Sequence, residues 1–229
     1  MDSIDAPQIF EHQSKTLNFT PFDVKWMPGS AKLALVGQTP KMKGVLKFYQ
    51  LEREELKETY SLEEVGSGFK TSAFNYHGSS RVPSLVLGDI TGRLFVFDIE
   101  AQKVSHETAA HKSMINSLDV AGGLCSSGPN EVVTGSRDGT VKLWDLRQKE
   151  PVLVLEPAEK SDNPPDCWAV ALGNSHSDED RVIAAGYDNG DLKLFDLRSN
   201  SLLWDHNLKN GVCGLQFDRK DIQMNKLGA

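Results

Sequence analysis

Four segments of the chain, KGVLKFYQL, TGRLFVFDI, DGTVKLWDL and NGDLKLFDL, follow one template. A glycine is followed by apolar residues two and four places on, an aromatic at five, Asp at six and an apolar residue at seven. Of the twenty positions beyond the glycines, nineteen fit; Gln50 stands where the other copies have Asp98, Asp145 and Asp196. The glycines are Gly44, Gly92, Gly139 and Gly190, so the periods are 48, 47 and 51 residues. A repeat of this length constrains the fold strongly, because one unit alone cannot bury its apolar face and must stack on the next.

Each copy is preceded by a second apolar run (LALVG, LVLG, VVTG, VIAAG) across a glycine-bearing turn. Such pairs read as β-hairpins, since glycine accepts the positive φ of tight turns. A further strand lies upstream each time (FDVKW, TSAF, INSLDV, CWAVAL), and VLVLE and LLWDHN supply a fourth. Four short strands per period are the arithmetic of a propeller blade. The charged EREELKE, Glu52 to Glu58, reads as a solvated connection rather than a helical turn.

TGSRDGTVKLWDLR, Thr134 to Arg147, resembles the signature of the WD-repeat family, whose members fold as β-propellers of usually seven blades. The resemblance covers nearly the whole chain, and it implies an all-β fold of four-stranded blades in one domain, residues 1–229. Blade one is expected at 19–62, blade two at 66–110, blade three at 111–157, blade four at 165–208 and a partial blade five at 210–229. That makes an incomplete propeller of about four and a half blades, with an apolar face exposed at its open end and low stability alone. Gln8 to His12 match the early strand that joins the last blade in the family. At finer grain, GSRDGTVKLWDLRQK, AGYDNGDLKLFDLR and NGVCGLQFDRKDI resemble a cytoplasmic member linked to co-chaperone-assisted assembly of axonemal dynein and other large complexes. The implied function is a non-catalytic adaptor with protein partners and no cofactor. The alternatives are a truncated form, nonfunctional or competing with a full-length one, and an enzyme using a rim site, for which no convergent acid, base or metal set is seen in the sequence.

The family pattern further implies a hydrogen-bonded relay of His111, Thr134, Asp138 and Trp144. The chemistry fits: an indole N–H only donates, a hydroxyl does both, and a neutral imidazole donates from one nitrogen and accepts on the other. In the fourth copy Asp188 and Phe195 occur with Ala185 at the hydroxyl position and no equivalent His; the second has Thr91, Leu87 and Phe97. Phe in place of Trp removes a donor that would otherwise be stranded. The correlation argues for a structural relay.

WD-repeat proteins dock partners around one rim of the channel. Carried over, that geometry places Phe22, Lys70, Asn116 and Trp168 at corresponding innermost-strand positions, with Arg137 and Tyr187 at turn tips. Aromatics and Arg are frequent interface anchors. Trp26 and Phe74 fall at inward-facing positions and read as packing.

Catalytic look-alikes are weak. GSRDGTVK has three residues between its glycines and leads into a strand, unlike a phosphate loop. HETAAH, His106 to His111, spaces its histidines by five, so they would not share a helix face. GNSHS, Gly173 to Ser177, lacks the closing glycine of a nucleophile elbow. In the acidic SHSDEDR, Ser177 is a candidate phosphate acceptor. A net charge of −7 and a pI near 5.4 argue against nucleic acid or an anionic membrane as partner. Cys125, Cys167 and Cys213 suggest neither a disulfide framework nor a metal site. MDSIDAPQIF lacks the character of a signal peptide, and the expected location is the cytoplasm.

Overall fold

A computed structural model describes residues 9–53, 55–76, 82–121, 130–157, 163–173, 181–218 and 226–229. Among them are strands and no helix. The first sheet holds β1 (Thr20–Trp26), β2 (Lys32–Gln38), β3 (Gly44–Leu51) and β4 (Leu56–Val65). The second holds β5 (Phe69–Asn75), β6 (Ser84–Asp89), β7 (Arg93–Asp98) and β8 (Lys103–Ala109). The third holds β9 (Ile115–Val120), β10 (Glu131–Ser136), β11 (Val141–Asp145) and β12 (Leu153–Leu155). The fourth holds β13 (Cys167–Gly173), β14 (Val182–Tyr187), β15 (Asp191–Asp196) and β16 (Ser201–Asn207), and β17 (Gln216–Phe217) pairs with β18 (Leu227–Gly228). Every four-stranded sheet is an antiparallel meander in chain order, an architecture consistent with a WD-repeat propeller.

The template glycines work as expected in three copies: φ is 87° at Gly92, 77° at Gly139 and 88° at Gly190. The first copy differs. Its turn is longer, Thr39 N donates to Lys43 O at 2.8 Å, and the positive φ falls on Met42 at 62°. Gly44 therefore opens β3 instead of sitting in the turn. The template Asp residues tie down the chain that follows each third strand: Asp98 accepts from Ala101 N, Asp145 from Arg147 N and Asp196 from Arg198 N, at 2.8, 3.0 and 2.8 Å. These short acceptors favour turns over continued extension.

The core lies between sheets. Phe48 of the first packs with Phe69, Leu85, Leu87, Phe95 and Phe97 of the second. Val86 and Leu94 meet Ile115, Val132 and Trp144 across the next boundary, and Val133 and Leu143 meet Cys167, Val170 and Ile183 across the third. Phe217 and Leu215 close on Ala171 and Ala184. Close approach depends on small residues. A Cβ on Gly88 would sit 2.8 Å from Ile115, one on Gly135 2.7 Å from Cys167 and Val170, and one on Gly186 2.5 Å from Val212.

Polar braces join the innermost strands. Asp23 Oδ2 accepts from Ser72 N and Oγ at 2.8 and 2.9 Å, and Asp119 Oδ2 accepts from Leu172 N at 2.8 Å. Several expectations change in detail. Trp26 is 55% exposed although read as packing, whereas Phe74 is buried. Of Gln8 to His12, residues 9–12 run as irregular chain and Gln8 lies outside the described residues. EREELKE enters β4 at Leu56, and β4 runs on to Val65.

Candidate functional site

Two polar groups stand out, one buried and one on a rim. In the third sheet, Trp144 Nε1 donates to Thr134 Oγ1 at 2.9 Å, and His111 Nε2 lies 2.7 Å from that oxygen. His111 Nδ1 is 2.9 Å from Thr140 Oγ1, whose hydroxyl donates to Asp138 Oδ1 at 2.6 Å. Asp138 Oδ1 stands 3.4 Å from His111 Nδ1, and Asp138 Oδ2 accepts from Lys112 N at 2.9 Å. With the imidazole proton on Nδ1, every donor finds an acceptor: indole to Thr134, Thr134 to His111, His111 to Thr140, Thr140 to Asp138.

Thr140 is the member the sequence did not disclose. Two residues beyond an Asp in a turn, it looks like any turn threonine; only the fold brings it under the imidazole. Burial holds His111 below its ordinary pKa, with Lys142 adding to that and Asp138 opposing it. Burial pushes Asp138 up, but hydrogen bonds from His111, Thr140 and Lys112 outweigh it and hold the carboxyl well below the usual range. The relay is thus a buried neutral ring against a carboxylate.

In the fourth sheet the register corrects one assignment. Gly135 pairs with Val141 as Gly186 pairs with Leu192, so Asn189, not Asp188, corresponds to Asp138. Asn189 Oδ1 accepts from Asp191 N at 3.0 Å, as Asp138 Oδ1 accepts from Thr140 N. By the same register Asp188 corresponds to Arg137, and Tyr187 to the buried Ser136. Tyr187 is accordingly no rim residue: it is 6% exposed, packs with Cys167 and Val170, and has a hydroxyl pushed up by burial.

The rim is set by irregularity in the innermost strands. Phe22, Lys70, Asn116 and Trp168 each fall in the single-residue gap of a register shift, between Pro21 and Asp23, Phe69 and Thr71, Ile115 and Ser117, and Cys167 and Ala169. A β-bulge re-aims its extra side chain away from the sheet faces. Lys70, Asn116 and Trp168 meet Arg137 around one cavity of about 400 Å³, which Asp166 and Cys213 also line. Phe22 stands behind, with Lys70 Nζ 5.0 Å from its ring centre. Asn116 Nδ2 donates to Cys167 O at 3.0 Å, and Arg137 Nε lies 3.6 Å from Asp166 Oδ2. Burial, together with the nearby Asp188, raises Asp166, while Arg137 and a hydrogen bond from Trp168 pull it back. Trp168 is 40% exposed.

The remaining candidates lie elsewhere. Ser177, with all of GNSHS beyond Gly173, is outside the described residues. His106 is on β8 and His111 lies in the connection between β8 and β9, while GSRDGTVK forms the β10–β11 hairpin. No cluster of three or more metal-ligating side chains occurs among the described residues.

Residues 102–145 match the family described as WD domain, G-beta repeat, and the four-stranded antiparallel sheets are consistent with that match. Along its full length the chain is similar to proteins called dynein axonemal assembly factor 10. Identity is 47% with the protein of Bos taurus, covering 100% of this chain and 64% of that one. It is 45% with that of Chlamydomonas reinhardtii, covering 99% and 63%, and 25% with that of Dictyostelium discoideum, covering 93% and 63%. The chain thus spans a little under two thirds of the length of these relatives.

Proposed function

We propose that the chain is a non-catalytic WD-repeat adaptor that docks proteins on the bulged rim and serves the assembly of axonemal dynein or other large complexes. The observation that carries this reading is the set of four equivalent bulges, which direct Phe22, Lys70, Asn116 and Trp168 away from the sheets. The names of the relatives support the assembly role. The residues around the cavity suit binding: a half-exposed indole, two cations and an amide, with the one carboxylate already engaged by Arg137 and Trp168. The relay has a structural role, because its members bond to one another and leave nothing to hand to a substrate.

The chain also resembles Monad, a cytoplasmic WD-repeat factor, and that resemblance is the ground for proposing co-chaperone components and their assembly clients as partners and the cytoplasm as location. The test is affinity capture of co-chaperone components from cytosol with the wild-type chain and with Trp168→Ala and Arg137→Ala. Both side chains are solvent-facing, so the fold should survive, as checked by circular dichroism. Capture should fall at least several-fold; unchanged capture by both variants overturns rim docking.

A further inference from the structure

The rim cavity is electrically unlike the molecule around it. The chain carries a net charge of −7, yet the cavity is lined by two cations, Lys70 and Arg137, against one carboxylate, Asp166. That carboxylate is already engaged, by Arg137 at 3.6 Å and by the Trp168 indole. Lys70 has no carboxylate partner among the described residues; its ammonium is held over the Phe22 ring. Only Nε of Arg137 is engaged by side chains, leaving the outer nitrogens of the fork available among the described residues. The Trp168 ring, seated against Gly211, lines the same cavity.

We propose, resting on the rim-docking reading above, that this cavity takes an acidic segment of a partner protein. A side-chain carboxylate of that segment lies between Lys70 and Arg137, and an adjacent aromatic residue rests on Trp168. A guanidinium fork matches a carboxylate in geometry as well as charge, and a cavity of about 400 Å³ holds two or three side chains. A basic segment would meet two like charges and gain only a carboxylate that is already paired. The chain's net charge of −7 also disfavours a nucleic acid backbone, whose phosphates would extend well beyond the cavity.

The test is fluorescence anisotropy with three labelled decapeptides built around one Phe. One carries Asp and Glu beside the Phe, one Asn and Gln, and one Lys; a single-stranded oligonucleotide forms a fourth arm. The acidic peptide should bind about tenfold more tightly than its amide counterpart, and weaken with salt. Lys70→Glu with Arg137→Glu should abolish that preference without shifting the melting curve, and Trp168→Ala should weaken binding further. Equal binding of the amide or basic peptide, tighter binding of the oligonucleotide, or indifference to charge reversal overturns the proposal. If no peptide binds while Trp168→Ala still reduces protein capture, the acidic assignment falls and the docking surface stands.

Discussion

Thr134 accepts from an indole and donates to an imidazole with no exposure of its own, which makes it the residue whose loss reports most directly on the relay. Thr134→Val preserves shape while stranding the Trp144 N–H and the His111 Nε2 lone pair, and should cost about 1–3 kcal/mol in a urea unfolding experiment. Adding Trp144→Phe removes one stranded donor, so the double variant should lose clearly less than the two single losses together. Additive losses would mean the two side chains do not share one network. Acid acts on the same residues. Burial keeps His111 neutral in the fold, whereas the unfolded chain takes up its proton near pH 6.5, so stability should drop as pH falls below that value. The depressed Asp138 contributes stability above about pH 4 that is lost on further acidification. Urea midpoints at pH 7, 6 and 5 should fall for the wild type, and His111→Gln should flatten the decline between pH 6.5 and 5; an unchanged slope would exclude the ring as its source.

At the scale of the strand and turn, the sequence carried periodicity well and register less well. Apolar spacing after each glycine announced four third strands, because buried strands need side chains on both faces. It could not show that Tyr187 ends a strand while Asn189 makes the turn, since YDNG offers Asp and Asn side by side and either suits a turn. Strand pairing decides, and it moves Tyr187 from rim to core. The bulges were legible only as corresponding positions; the gap that re-aims Trp168 lies in the hydrogen-bond ladder, which residue types do not encode. Gly135 tests the register directly. Its Cβ would lie 2.7 Å from both Cys167 Sγ and Val170 Cγ1, two short, stiff side chains. Gly135→Ala should destabilise by roughly 1–3 kcal/mol through overpacking, and Val170→Ala in the same chain should return part of that loss. Purely additive destabilisation would place Gly135 away from Val170.

Across the whole molecule the sheets are not equally protected. β10 and β14 are buried along their whole length. The first sheet is shielded on its outer part by the chain that precedes β1: Gln13 donates to Glu52 O, Lys15 donates to Leu56 O and lies over the Tyr49 ring, and Phe19 packs near Lys47. β3 is therefore mostly buried, although its sheet is the first in the stack. The fourth sheet is covered unevenly. Leu215, Phe217 and Leu227 pack on its inner strands, while every residue of β16 is exposed and Trp204, 47% exposed, stacks on His206. Local opening costs least where few apolar contacts must be broken. Amide hydrogen exchange should consequently be slowest in β10 and β14 and fastest, among the outermost strands, in β16. Two substitutions separate exposure from packing on this one sheet. Trp204→Lys should change global stability by no more than about 0.5 kcal/mol, whereas Phe217→Ala should cost several-fold more and speed exchange in β13 and β14. If β16 instead exchanges as slowly as β10, or Trp204→Lys unfolds the chain, that strand is held by contacts along its edge and the gradient of protection proposed for the stack is wrong.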